Sequence, residues 1–225
     1  FQNSSVLAVD LSLSSLSYAI RKTKELSVAN IDYMQGDILK LNTLNRKFDI
    51  IESAGVLHHM EEPLVGWQVL VDLLKPQGLM RIALYSEIAR KNIVEIREFI
   101  AKKGYDNSPK DIRECRAEIM NMSTDSNSRM QTIINSKDFY SLSACRDLLF
   151  HVQEHRFSLP QISNALEKMG LIFIGFDCSS QIKNQFKAQY PGNEDLFSLE
   201  LWHQFEQDHP DTFVRMYQFW VQKNN

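Results

Sequence analysis

The sequence predicts an α/β fold with a doubly wound, mostly parallel sheet, on three observations. Val6-Leu7-Ala8-Val9-Asp10 and Phe48-Asp49-Ile50-Ile51-Glu52-Ser53 are short apolar runs that stop at acidic or small polar residues. Fully buried parallel strands read this way when their carboxyl ends open onto a ligand crevice. Strand and helix patterns then follow in the order β-α-β-β-α-β up to Tyr85, the signature of a doubly wound sheet. Third, the first glycine is Gly36, so no glycine-rich strand-to-helix loop precedes Val6, where domains of this class carry one after their first strand. The chain is therefore expected to begin after the first strand and first helix of its fold.

Each element has its own warrant. Val6 to Val9 reads as a buried strand, and Ser12 or Ser14 can cap the helix behind it. Leu16, Ala19, Ile20 and Thr23 keep helical spacing, with an end near Leu26. Ile31 to Gln35 alternates as a strand and breaks at Gly36-Asp37; Phe48 to Ser53 is the next strand. Pro63 suits a first helical turn, and Leu64, Trp67, Leu70, Val71 and Leu74 form one apolar stripe behind it. Lys75-Pro76-Gln77-Gly78 stops that helix before a strand from Leu79 to Tyr85.

The middle of the chain departs from plain alternation. A helix is expected from Glu87 to Lys103, carrying Ile93, Ile96 and Ile100 and ending at Gly104. Ile112, Cys115, Ile119 and Met122 mark another over Asp111 to Met122. Ser123 to Lys137 reads as a polar loop or a loosely held helix, with helical pieces through Ser143 to His155. Tyr105 to Phe157 is expected to be an inserted lid over the carboxyl edge of the sheet, since long insertions with their own structure are often functional. Ser158 and Gln161 have capping-box spacing with Pro160 in the first turn; Ile162, Leu166 and Met169 face inward and Gly170 closes the helix. A strand at Leu171 to Phe176, a helix at Glu194 to Gln207 and a last strand within Phe213 to Val221 complete the reading. The resulting division is 1–104, 105–157 and 158–225.

Composition narrows the function classes. An apolar share of 44% and a charged share of 24% are ordinary for a globular protein. A net charge of −3 with scattered Lys and Arg gives no case for nucleic acid. Cys115, Cys145 and Cys178 are odd in number and form no C-x-x-C pair, which favours reduced thiols and a cytoplasmic setting. No apolar run approaches the roughly 20 residues that span a bilayer.

Five groups of residues carry the chemistry. Asp10, past the first strand, offers two acceptor oxygens, which suits the paired hydroxyls of a ribose. Asp37 can accept from an adenine amino group while Ile38 packs on the ring. Glu52, Ser53 and the small residues behind them leave room for a bound ligand. His58 and His59 line the same pocket, and a histidine there can act as a general base near neutral pH. His151-Val152-Gln153-Glu154-His155 fits H-x-x-E-H, the inverted zinc-peptidase pattern; the weightier reading is an amphipathic lid helix with buried Leu148, Leu149 and Val152, and no metal ligand is assigned. His151, His155 and Arg156, with Tyr140 and Arg146, are candidates for contact with a substrate. Trp202, Phe205, Phe219 and Trp220 read as core.

Val6 to Ser12, Gly36-Asp37-Ile38, Phe48 to Met60 and Leu74-Lys75-Pro76-Gln77-Gly78 resemble the successive motifs of class I S-adenosylmethionine-dependent methyltransferases. Leu57-His58-His59-Met60 with Leu74-Lys75-Pro76-x-Gly78 is the most specific part. The resemblance covers residues 6 to 85 and implies a Rossmann-like sheet with an antiparallel last strand, matching Met216 to Val221, and a helical insertion after the family's fifth strand. It implies that Asp10 and Leu11 hold the ribose end of S-adenosylmethionine, Asp37 and Ile38 the adenine, and Glu52 or Ser53 the methionine moiety. The methyl acceptor would be a small molecule or a protein. The insert and Phe139 to Phe157 resemble a bacterial subgroup, some of whose members are fused to tetratricopeptide repeats, so a repeat fusion or a homo-oligomer is compatible with the chain. The family's glycine-rich first motif has no counterpart, which keeps a non-catalytic methyltransferase-like module as the alternative. A nicotinamide dehydrogenase and a zinc hydrolase are the other rivals. In this family the first strand lies between those holding Asp10 and Glu52. Its absence would leave buried backbone groups unpaired at ~1–3 kcal/mol each, unless the flanking strands close together, another chain fills the gap or further residues do.

Overall fold

The computed structural model describes residues 4–122, 131, 133–192 and 194–225. Its first unit is small. Strand β1 (Val6–Asp10) pairs in parallel with β2 (Ile31–Gln35), in register from Val6 opposite Ile31 to Asp10 opposite Gln35. Helix α1 (Leu13–Glu25) connects them, capped by the Ser12 side chain, which accepts from the Ser15 N–H. A 3₁₀ helix at Ile38–Leu44, absent from the sequence reading, follows β2 and carries Leu41 into the main core.

The second unit is a five-stranded sheet. Its order is β3 (Phe48–Ala54), β4 (Leu74–Ser86), β7 (Tyr217–Lys223) and β6 (Leu171–Phe176), with the two-residue β5 (Arg156–Phe157) also on β4. β3 and β5 run parallel to β4, and β7 runs antiparallel to both β4 and β6. The α/β, Rossmann-like sheet with an antiparallel last strand is therefore borne out. Helix α2 (Pro63–Leu73) starts on its proline and buries Trp67, Leu70 and Val71. Leu64, expected on that stripe, is exposed. Leu74, expected on the same stripe, has already left the helix, because β4 begins there and runs through Lys75-Pro76-Gln77-Gly78.

β1 and β3 were expected as fully buried strands, and they are not. Val6 is 41% and Ile50 58% exposed. Among the described residues β1 pairs with β2 and β3 with β4, and no pairing joins β1 to β3. The two strands that flank the expected gap do not close on each other.

The insertion is helical as expected, with different boundaries. Helix α3 (Lys91–Lys103) starts four residues later than its pattern suggested and ends on Gly104 with φ 74°, a conformation that costs glycine little. Helix α4 is Pro109–Met122 and α5 is Leu142–Phe150. Ile93, Ile96 and Ile100 of α3 share one core with Ile112, Cys115, Ile119, Ile133, Phe139, Cys145 and Leu149, so α3 packs with the insertion rather than with the sheet. Residues 123–130, read as a polar loop or loose helix, lie outside the described residues.

The carboxy-terminal part follows its signals closely. Helix α6 (Leu159–Lys168) has the full capping box, Ser158 accepting from the Gln161 N–H and Gln161 accepting from the Ser158 N–H. Helix α7 (Ser180–Gln189) was not expected, although Ile182 and Phe186, four apart behind the capping Ser179, carry its signal. The aromatic helix begins later than read, as α8 (Leu199–Asp208), and the last strand also starts later, at Tyr217. Phe186 stacks on Trp202 at 3.9 Å between centroids, in a core that also holds Phe205 and Phe219.

Candidate functional site

The carboxyl ends of β1 and β2 place the two acids side by side. The strands are parallel neighbours, so Asp10 and Gly36-Asp37 leave the sheet at one rim, and the Gly36 N–H donates to the Asp10 carbonyl at 3.1 Å. Asp10 Oδ1 accepts from the Ser12 N–H at 2.7 Å. Asp37 caps the 3₁₀ helix, its Oδ1 accepting from the Leu39 N–H at 3.0 Å. In each carboxylate one oxygen fixes the loop and the other is open to a ligand. Ile38 follows Asp37 and packs at the margin of the main core. Leu11 is exposed, and its carbonyl accepts from Gln35 Nε2 at 3.0 Å. Open carboxylate oxygens beside apolar side chains at the strand ends suit the hydroxyls, amino group and ring of a nucleoside.

Glu52 and Ser53 alternate faces on β3, as strand geometry requires. Ser53 is buried. Glu52 is engaged by Arg81 of β4, which also reaches Asp177 and Gln218. One oxygen of its carboxylate is therefore held by a neighbouring guanidinium while the side chain stays more than half exposed, so Glu52 is placed as Asp10 and Asp37 are, with one oxygen engaged, and Ser53 lies buried on the other face of the strand.

The loop after β3 meets the end of the insertion. His58 and His59 close a short 3₁₀ helix at Leu57–His59. The His155 N–H donates to the His58 carbonyl at 2.8 Å, and Gln153 Nε2 donates to the Met60 carbonyl at 3.2 Å. His59 Nδ1 lies 3.0 Å from the Gln153 carbonyl, and its ring sits 3.9 Å from that of His151. His58 is fully enclosed against Tyr85, with ring centroids 4.1 Å apart. Burial, and then the neighbouring His59, push it down to about 3, so it stays neutral. An enclosed ring cannot reach an acceptor, and this narrows the general-base candidate to His59. Burial also lowers His59, opposed by its bond to Gln153.

The H-x-x-E-H segment is not a helix, because α5 stops at Phe150 and His151 is its C-cap. Its two histidines do not share a helical face. Glu154 has a buried side chain paired with Arg90 and Arg97. Val152, expected in a buried stripe, is 91% exposed. The extended segment turns the polar residues onto the His58-His59 loop and Val152 outward. No zinc-peptidase geometry survives.

The substrate candidates separate into two groups. His151 and His155 meet the His58-His59 loop, and Arg156 pairs with Tyr85 through β5. Tyr140 and Arg146 are exposed, and their contacts lie inside the insertion, with Phe139 and with the Asn107 carbonyl. Arg90, which packs its guanidinium 3.7 Å over the Tyr85 ring, went unnoticed in the sequence because only the fold brings it to the junction. No helix among the described residues is long and apolar enough to cross a membrane.

Residues 1–82 match the family described as methyltransferase domain. An uncharacterized protein of Synechococcus sp. (strain ATCC 27144) is 29% identical over 183 residues, 76% of this chain and 42% of that protein. Among solved structures, PKMT2 from Rickettsia typhi in complex with AdoHcy superposes with a TM-score of 0.72 at 17% identity, over 100% of this chain and 45% of that one. Magnesium protoporphyrin IX methyltransferase from Synechocystis PCC 6803 with bound SAH gives 0.51 at 10% identity, over 99% and 66%. The structural likeness is one of fold. This chain spans less than half the length of the Synechococcus and Rickettsia proteins.

Proposed function

With residues 1–82 matching the methyltransferase domain family and the whole chain sharing the class I methyltransferase fold, we propose that the protein is an S-adenosylmethionine-dependent methyltransferase acting on an oxygen or nitrogen of a small molecule or a protein. The observation that carries the reading is the pair Asp10 and Asp37. Both sit at the carboxyl ends of adjacent parallel strands, each with one oxygen locked on its own loop and the other open.

When bound, S-adenosylmethionine supplies an electrophilic methyl group. The chain's residues bind, orient and shield. Asp10 accepts from the ribose hydroxyls beside Leu11, Asp37 accepts from the adenine amino group, Ile38 packs on the base, and Glu52 or Ser53 borders the methionine end. His59 donates from Nδ1 to the Gln153 carbonyl, so Nε2 keeps its lone pair and can take the acceptor's proton. His151, His155 and Arg156 on the insertion face the acceptor, and the insertion excludes water from the transfer. No acceptor class is singled out by these groups.

Calorimetry of the intact protein with S-adenosylhomocysteine tests the reading. Asp10→Ala removes charge-assisted hydrogen bonds of ~1.5–3 kcal/mol, so affinity should fall about 10- to 100-fold. Unchanged affinity would refute the ribose assignment. Absence of any binding by the wild-type protein would favour the non-catalytic module.

A further inference from the structure

The junction between the insertion and the β3 loop brings a carboxylate, Asp147, to two histidines of the proposed acceptor side. His59, Asp147 and His151 each bring one ligand atom within 4.8 Å of the others. Asp147 and His151 stand four apart at the end of α5 and so share a face, while His59 comes from the opposite side of the junction. No hydrogen bond joins the three, and the exposed Asp147 carboxylate has no hydrogen-bond or ion-pair partner among the described residues. Two imidazoles and an unoccupied carboxylate thus converge, the acceptor nitrogen of His151 being the one atom already engaged, by the Gln153 N–H.

We infer that His59, Asp147 and His151 form a binding site for a divalent metal ion of the zinc class, which clips the insertion to the loop after β3. Two nitrogens and one carboxylate oxygen suit zinc, nickel or copper better than magnesium or calcium, which take oxygen ligands. Bonds of ~2.0–2.2 Å put tetrahedral ligand atoms roughly 3.4 Å apart, so separations within 4.8 Å must contract by up to about 1.4 Å. The Asp147 side chain is free to swing in. His59 already has the outer contact expected of a metal ligand, its Nδ1 held by the Gln153 carbonyl, which leaves Nε2 as the nitrogen able to bind. His151 is less prepared, since its Nδ1 accepts from the Gln153 N–H at 3.2 Å. Loading it through Nε2 moves the ring proton to Nδ1 and gives up that one contact. A fourth position stays open to water.

The site would bear on function without depending on it. Metal on His59 Nε2 occupies the lone pair that a general base needs, so the loaded state holds the insertion closed and switches that base off. The ion need not meet the cofactor for this to hold.

Equilibrium dialysis of the chelator-treated intact protein against zinc chloride decides the matter. One zinc per chain is expected for the wild-type protein, with affinity lowered about tenfold or more by His151→Ala and by Asp147→Asn. Unchanged affinity in either variant, or no stoichiometric zinc in the wild type, overturns the inference. Cobalt substitution of the wild type guards against a variant that misfolds: visible d–d absorption saturating at one cobalt per chain supports the site, and its absence overturns it. S-adenosylhomocysteine binding by the zinc-free protein is a separate measurement, so failure of the metal site and failure of the methyltransferase reading are told apart.

Discussion

The β1–β2 unit and the five-stranded sheet are built from strands of similar apolar character, yet they carry different burdens. In the sheet, Met80, Ile82 and Leu84 of β4 are wholly enclosed by α2, α8 and the flanking strands. Among the described residues of the small unit, Leu16 of α1 and Leu41 of the following 3₁₀ helix are the buried ones, and the strands contribute Val9 and Met34 at the margin of the core. Stability is concentrated in the sheet, and the open carboxylates of Asp10 and Asp37 are on the unit with little core of its own. Binding segments are commonly drawn from the less stable end of a fold, and a ligand at that rim would stabilise the unit by mass action.

The largest effect should come from the sheet side. Trp202→Ala removes a fully buried indole stacked on Phe186 and should cost ~3–5 kcal/mol of global stability in urea unfolding. Hydrogen exchange should show the loss in β4, β6 and β7, while β1 and β2 amides, already limited by local opening, stay unchanged. Equal loss in both regions would make the molecule one cooperative unit and end the contrast.

A pH experiment sharpens the same contrast. Glu206 on α8 is fully buried and accepts from Ser86 and from the Tyr217 hydroxyl. Burial, more than those two bonds can offset, raises its pKa. A raised carboxyl contributes stability that is complete below the unfolded value of 4.5 and is lost as pH rises through the folded value. Glu206→Gln abolishes that loss, so its stability relative to wild type should improve as pH climbs above 4.5, by at most about 1.4 kcal/mol per pH unit. Denaturant midpoints at pH 5 and pH 8 read the difference, and a difference independent of pH would contradict the assignment.

The smallest effect belongs to the β1–β2 unit. Ser12→Ala removes the α1 cap and should cost about 1 kcal/mol, seen as faster exchange in α1, β1 and β2 with no shift in the global urea midpoint. A global shift of the same size would show that the small unit is coupled to the sheet.

Local chemistry was legible wherever a residue acts on its own neighbours. Ser158 with Gln161, Pro63, Gly104 and Gly170 sit where their caps and turns are observed. The rim of Asp10 and Asp37 was legible too, because two strand ends in a parallel βαβ order must lie together. Val152 falls on the apolar stripe only if the helical period continues past Phe150, whereas the backbone there follows Gln153 and His155 onto the His58 loop. Glu52 could not be placed by sequence, since its partner Arg81 is fixed only by strand register.

By itself the sequence determined the order of the strands and helices from β1 to β4 and the position of the two rim acids. These follow from periodicity, capping and chain order, all of which act over a few residues or a single crossover. Only the tertiary structure decided that β1 and β3 do not pair with each other among the described residues, that α3 packs with the insertion, and that His59 meets Asp147 and His151 across roughly ninety residues of chain. Burial and ligand geometry depend on which surfaces meet, and no local pattern encodes that.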